Sequence, residues 1–356
     1  MNDANELISF IASMSGEGNL RVEENLGEGY VRLRVSEAER RQAKHDIQHV
    51  EDIVIEMLRN ARDAGADKVY LATTKEDGVR TLVFLDNGSG VPQDMQERIF
   101  DARVTSKLES MKMDRWGVHG RGMALFSIKQ NTDEARVVTS DVDLGSVFKV
   151  SVATDRLGER ADQSSWPQAV KDEDGHYVCA RGPHNIIRAA CEFALEELRA
   201  CDVYLGSPSE IAATLHAQAS SRLDASRLLF IDDEAELPVV DRLGLASDAE
   251  DFIRICSGLG LEMSERTAHR ILAGQIKPVR GVTARDSSSH ASAPVDLAKD
   301  RRGLRIAKDD MAQFSRAVER DFNDLASRYY LNLCGDPKIR VSRDRITVTF
   351  DLAKEE

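Results

Sequence analysis

The sequence predicts an α+β fold. Two strand pairs joined by tight turns, 68–72 with 80–85 and 136–140 with 146–153, read as antiparallel hairpins rather than β-α-β crossovers. Helical spacing of apolar residues at Ile47, Val50, Val54, Met57, Leu58 and Ala61 places a helix ahead of them. Beyond residue 175 the pattern is mainly helical and ends in a hairpin.

Taken in order, residues 5–14 are a short apolar segment and residues 28–35 alternate as a strand. Ser36 with Glu39 forms a capping box that opens one helix, closed by Gly65. Glu76-Asp77-Gly78 is the turn of the first hairpin. The stretch 93–116 is polar without a clean period, and a helix opens at Gly122. Residues 156–175, charged and carrying Pro167, read as a linker. Helices over 186–198 and 209–219 flank a short strand at 202–205, and 247–256 with 264–273 form a helix pair. Residues 284–296 read as a loop. Met311, Phe314, Val318, Phe322, Leu325 and Tyr329 mark one face of a long helix, before a hairpin around 342–345. The expected organisation is an N-terminal segment 1–24, a domain 25–155, a linker 156–175 and a C-terminal domain 176–356.

Composition narrows the function. Hydrophobic content of 42% and charged content of 31% fit a globular protein, and no apolar run reaches the length of a membrane span. The first residues lack the basic flank and apolar core of a signal peptide, so a cytoplasmic location and no membrane partner are expected. Five widely spaced cysteines without a C-x-x-C pair suggest neither a disulfide framework nor a zinc site. A net charge of -13 argues against broad attraction to nucleic acid and leaves room only for a local basic patch.

Three blocks carry chemistry. Glu56 and Asn60 stand four residues apart on a helix, so both side chains point the same way. A carboxylate there suits water activation, and an amide oxygen suits Mg²⁺, a hard cation that takes oxygen ligands. Asp86 ends the apolar run Leu82-Val83-Phe84-Leu85, where a carboxylate accepts from an exocyclic amine such as that of adenine. Gly88 and Gly90 after it let backbone approach a flat ring. Gly117-x-x-Gly120-x-Gly122 precedes a helix, an arrangement of N–H groups that suits phosphate. Singly, each block also fits an ordinary element: a solvated helix face, an Asp-Asn-Gly turn, a loop before a helix. There is no P-loop pattern, and the first glycine block does not follow a β-α-β arrangement.

In order and spacing, these blocks resemble the ATP-binding domain of the GHKL superfamily, which contains gyrase, heat-shock chaperone, histidine-kinase and MutL-type ATPases. Glu56 through Ala66, with Asn60 and Asp63, resembles the N box, most closely in the MutL and type II topoisomerase branches. Asp86 to Gly90 resembles the first glycine box, and Thr105-Ser106-Lys107 the element ahead of the second. Gly117-Val118-His119-Gly120-Arg121-Gly122 resembles the second box, and Gly145-Ser146 the later Gly-Thr element, with Ser keeping the hydroxyl. The resemblance covers roughly residues 25–155. It implies a Bergerat-type α/β sandwich, a mixed and largely antiparallel sheet with helices on one face, and ATP with Mg²⁺ as ligands. By the same match Glu56 is the general base, Asn60 the magnesium ligand and Asp86 the adenine acceptor. Residues 93–120 are then a mobile lid, with Lys107 near the phosphates and Gly120 and Gly122 donating N–H groups to them.

The acidic residue one turn before Asn60 favours slow hydrolysis over phosphotransfer, since histidine kinases usually carry an amide there. His45 and His49 lie on the N-box helix itself, too close to receive phosphate from it. A histidine-kinase-like kinase and a non-hydrolysing ATP-gated clamp are the alternatives. The resemblance also implies a protein partner, with a homodimer as one form. In related branches a later lysine reaches the γ-phosphate, and Lys277 is the candidate here. DNA is the further partner that the helix pair 247–273 offers, through Arg266, His269 and Arg270; packing within the second domain is the alternative for that pair.

Overall fold

The computed structural model describes residues 22–106, 112–119, 122–160, 162–171, 177–197, 200–223, 233–283, 308–326, 331–335, 337–341 and 346–354. Two compact units divide the chain, Met1–Ser287 and Ser288–Glu356. The apolar segment expected at 5–14 and the loop at 284–296 lie outside the described residues.

The first unit begins with a hairpin of β1 (Val22–Gly27) and β2 (Tyr30–Leu33). The single strand expected over 28–35 is corrected by its turn: Glu28 and Gly29 have φ of 50° and 79°. The single helix expected from Ser36 to Gly65 is two, α1 (Glu37–Asp46) and α2 (Val50–Asp63). The capping box at Ser36 and Glu39 is present as its spacing predicts. The break comes at Asp52, whose carboxylate accepts from the backbone N–H of Gln48 at 2.9 Å and of His49 at 2.8 Å and so starts a second helix. Ile47, in extended conformation between the two, turns into the core.

Next come β3 (Lys68–Glu76) and β4 (Val79–Asp86), paired from Val69↔Asp86 to Glu76↔Val79 around the expected turn. The polar stretch that follows holds two 3-10 turns, then β5 (Val104–Thr105), which pairs with β2, and the small hairpin of β6 (Lys112–Asp114) and β7 (Gly117–His119). A short helix α3 (Ala124–Asn131) leads into β8 (Glu134–Ser140) and β9 (Ser146–Ala153). Then follow β10 (Gln168–Lys171), β11 (Tyr177–Arg181), α4 (Ile186–Glu196), β12 (Asp202–Gly206), α5 (Pro208–Arg222), α6 (Ala249–Gly258) and α7 (Glu265–Leu272).

The main sheet has the order β12-β3-β4-β9-β8, with β12 parallel to β3 and every other pair antiparallel. Its pleat separates two cores. Val69, Leu71, Leu82 and Phe84 face α2, α3 and α4 through Ile53, Leu58, Ile128 and Phe193. Tyr70, Ala72, Val83 and Leu85 face α5, α6 and α7 through Ile211, Leu215, Phe252 and Ile271. The helices expected on one face are there, and the later helices cover the other. Each fully buried leucine, such as Leu58 or Leu82, contributes about 1.5–3 kcal/mol to this packing.

The structure therefore divides the chain at Ser287 rather than after residue 155. Leu157 sits in the first core, and Glu159 is bound by Lys75 at 2.9 Å and by Arg80, so the expected linker is fastened to β3 and β4. The strand β12 then extends the same sheet.

The second unit has a helix α8 (Lys308–Ala326) and two antiparallel pairs, β13 (Leu331–Leu333) with β16 (Leu352–Lys354) and β14 (Lys338–Val341) with β15 (Ile346–Thr349). Phe322 stacks on Phe350 with ring centroids 4.1 Å apart. The expected hairpin is present; its tip at 342–345 and Tyr329 lie outside the described residues.

Candidate functional site

A cavity of about 440 Å³ opens between α2, the end of β4 and the start of α3. Glu56, Asn60, Asp63, Asp86, Gly90, Thr105, Ser106, Gly122 and Ser146 all line it, although they come from segments up to ninety positions apart. Gly88 adjoins it, hydrogen-bonded to Asp86. Gly117 and His119 open and close β7. Lys107, Gly120 and Arg121 lie outside the described residues.

Asp86 is the last residue of β4 and is 3% exposed. Its Oδ1 accepts from the Gly88 N–H at 2.8 Å, and its Oδ2 accepts from the Ser146 hydroxyl. The strand register sets that second bond, because Asp86 and Ser146 are direct cross-strand partners. Neighbouring Asn87 turns away and ties the start of β3, accepting from the backbone N–H groups of Asp67 and Lys68 at 3.1 and 2.9 Å.

Two glycines hold this corner closed. Gly90 has φ +70° and a Cβ there would lie 1.8 Å from the Asp141 carbonyl oxygen; Gly145 has φ +78° and a Cβ would lie 2.2 Å from the Asp86 carbonyl oxygen. Gly145→Ala is therefore expected to destabilise the fold by about 2 kcal/mol or more, from left-handed strain and backbone collision together. Urea unfolding measures this, and an unchanged midpoint would remove glycine's special role there.

The α2 side carries the other polar groups. Glu56 and Asn60 share the cavity wall, as their spacing predicts. The Asn60 amide nitrogen is buried without a hydrogen-bond partner, and so is the Ser127 hydroxyl in α3. Burial raises the Glu56 carboxyl above the usual carboxylate range, against the opposing pull of Arg59. Arg59 donates to Glu56 Oε1 at 2.5 Å and also binds Asp114, by Nε at 2.8 Å and by Nη2. Tyr30, which also lines the cavity, is bonded to Ser106, and burial raises its hydroxyl pKa.

Sequence reasoning did not single out Tyr30, Arg59, Asp114, Trp116 or Ser127. A cation one turn past Glu56 was the readable signal for Arg59; the others come together only by folding. Arg103 N donates to Gly122 O at 2.9 Å and so joins the two ends of the intervening stretch.

A bound nucleotide fits these residues: a buried acceptor at one end, glycine backbone at the corner and an orphaned amide along the wall. Among the described residues no group of three His, Cys, Asp or Glu forms a metal cluster. A magnesium site here would draw on the Asn60 oxygen together with phosphate oxygens, in keeping with how Mg²⁺ is held. Among the same residues no helix is long and apolar enough to cross a membrane.

Residues 47–163 match the family model described as histidine kinase-, DNA gyrase B-, and HSP90-like ATPase. The DNA mismatch repair protein MutL of Thermodesulfovibrio yellowstonii is 34% identical over 98 residues, which cover 26% of this chain and 18% of that protein. MutL of Pediococcus pentosaceus is 31% identical over 115 residues, covering 32% and 17%. MutL of Staphylococcus aureus (strain Newman) is 28% identical over 136 residues, covering 35% and 20%. The similarity thus spans about a fifth of the length of these relatives.

Proposed function

We propose, from the premise that residues 47–163 form a GHKL domain of the histidine kinase-, DNA gyrase B- and HSP90-like ATPase family, that this chain binds Mg-ATP and hydrolyses it slowly. The observation that carries this reading is the buried Asp86 carboxylate, held by Gly88 and Ser146, in one cavity with Glu56 and Asn60. Asp86 accepts from the adenine amine. Gly122 and the first turn of α3 present N–H groups to phosphate. Asn60 holds magnesium, which supplies charge neutralisation of the phosphates.

Glu56 takes a proton from water as the water oxygen bonds to the γ-phosphorus. The bond from that phosphorus to the β–γ bridging oxygen breaks, and ADP leaves with the electron pair. A carboxyl with a raised pKa is a stronger base than an exposed one, provided the pH keeps it ionised. Turnover is expected to couple closure of residues 93–120 to the helices that share the sheet. Steady-state phosphate release alongside calorimetric ATP binding tests the reading. Stable labelling of the protein from γ-labelled ATP would replace it with a kinase, and binding without turnover would leave an ATP-gated clamp. MutL-like proteins suggest a protein partner or a second copy of this chain as what closure would serve.

One observation favours a second role for the α6–α7 pair. Ala268 and Ile271 pack into the core while Arg266, His269 and Arg270 stand exposed on the other side of α7, followed by exposed Lys277 and Arg280. Such a face in an acidic chain suits nucleic-acid phosphate. The double variant R266E/R270E is expected to lower DNA retention about tenfold at moderate salt and to flatten the salt slope by about 2. Filter binding across a salt series measures it, and a wild type that retains no DNA sinks this role.

A further inference from the structure

A charged cluster between α2, the β6–β7 hairpin and α4 adjoins the cavity and shares Glu56 and Asp63 with it. Two guanidinium groups, Arg59 and Arg62, face four carboxylates: Glu56, Asp63, Asp114 and Glu197. Arg62 is engaged by Glu197 at 2.7 Å and Asp63 at 3.2 Å and also reaches Asp114 at 3.5 Å. Arg59, 4% exposed at its side chain, is contested between Glu56 on its own helix and Asp114 on the hairpin. The contact to Asp114 is bidentate, the strongest geometry an arginine offers a carboxylate. The hairpin is seated beside it by Trp116, which lies 5.9 Å from the Arg59 guanidinium and stacks on Phe193 of α4 at 6.2 Å.

We propose that Arg59 is a positioning residue which shares its guanidinium between Glu56 and Asp114, so that docking of the β6–β7 hairpin on α2 sets how firmly the Glu56 carboxylate is held. With the hairpin seated, Asp114 takes part of the guanidinium and leaves the Glu56 carboxylate a freer proton acceptor. With the hairpin away, Arg59 keeps its contact to Glu56 without competition from Asp114 and ties it down. The consequence for catalysis rests on Glu56 being the base; the sharing itself does not.

The charged groups that bear on Glu56 are Arg59 on its own helix, Asp114 on the hairpin and Asp46 at the end of α1, with Glu39 and Asp63 lining the same cavity. Arg59 lowers the Glu56 midpoint, while burial, Asp114 and Asp46 raise it. Two neutralising variants must then act in opposite directions. Arg59→Gln moves the midpoint upward, because burial is left unopposed. Asp114→Asn moves it downward, because a negative neighbour is lost and Arg59 is released to Glu56. Arg59→Lys keeps the charge and stays between Arg59→Gln and the wild type. Simple loosening of the cluster would admit water and move every variant downward together.

The test is an NMR titration of the Glu56 side-chain carboxyl carbon in the full chain, assigned by its disappearance in Glu56→Gln, with circular dichroism to confirm that each variant is folded. Opposite displacements in Arg59→Gln and Asp114→Asn support the assignment; displacements of one sign, or none, overturn it. Should Arg59→Gln not fold, the downward displacement in Asp114→Asn and the position of Arg59→Lys decide it alone. The acid limb of phosphate release is expected to follow the same displacements. If no variant and no wild type releases phosphate, hydrolysis fails while the titration still decides the role of Arg59.

Discussion

Glu56→Gln is expected to lower phosphate release at least about a hundredfold while ATP affinity stays within about threefold of the wild type. The substitution keeps the size of the side chain and an oxygen that accepts from Arg59, 2.5 Å away in the native cluster. It removes the one function that the proposed reaction needs, an ionised oxygen able to take a proton. Burial matters to the size of the effect. An exposed carboxylate would be too weak a base to matter much, whereas this one is raised by its surroundings. The same raised pKa is expected to give the proposed turnover an acid limb above the usual carboxylate range, since Glu56 as base would have to be ionised. Calorimetry with a non-hydrolysable ATP analogue and a coupled phosphate assay separate binding from chemistry. Equal loss of both in Glu56→Gln would make Glu56 a structural residue. Undiminished turnover would move the base elsewhere.

Asp86→Asn is expected to weaken ATP and ADP binding by about a hundredfold, equivalent to about 2.7 kcal/mol. Both Asp86 oxygens already accept protein hydrogens, from Gly88 and Ser146, and an ionised carboxylate accepts only and donates nothing. The asparagine amide replaces one acceptor by two donors. Turned one way it opposes the Gly88 N–H; turned the other way it opposes the Ser146 hydroxyl and the adenine amine. Either choice leaves a buried donor without an acceptor, which is more costly than the loss of one ordinary bond. GTP carries a carbonyl where ATP carries its amine, so the wild type should bind ATP well above GTP and Asp86→Asn should narrow that preference. Calorimetric titration with both nucleotides measures it. An unaltered ATP/GTP ratio in Asp86→Asn would detach Asp86 from base recognition, even if overall affinity fell.

How much of this was legible before folding depends on the range of the interaction. The Ser36 capping box is a local device that depends on groups three residues apart, and it forms as read. The β3–β4 hairpin likewise depends on its Asp77-Gly78 turn. The break between α1 and α2 was also local, in Asp52, but apolar spacing through Ile47 and Val50 masked it. The second helical layer left a trace that was not used. The run Leu82-Val83-Phe84-Leu85 is apolar at every position, and a strand with one wet face would alternate. Both faces of β4 are in fact covered.

The sequence by itself determined the local parts of the site. Helical pitch aligns Glu56 with Asn60, a strand end delivers Asp86, and glycine supplies the left-handed backbone at Gly90 and Gly145. Only the tertiary structure decided their surroundings. Register across β4 and β9 gave Asp86 its Ser146 partner, and docking of the β6–β7 hairpin brought Asp114 to Arg59, fifty-five residues away. Packing of β12 against β3 merged the expected linker and following helices into the same unit. The division has a physical cause. Backbone pitch and φ preferences act over a few residues and can be read along the chain, whereas desolvation and charge sharing depend on which distant surfaces exclude water together.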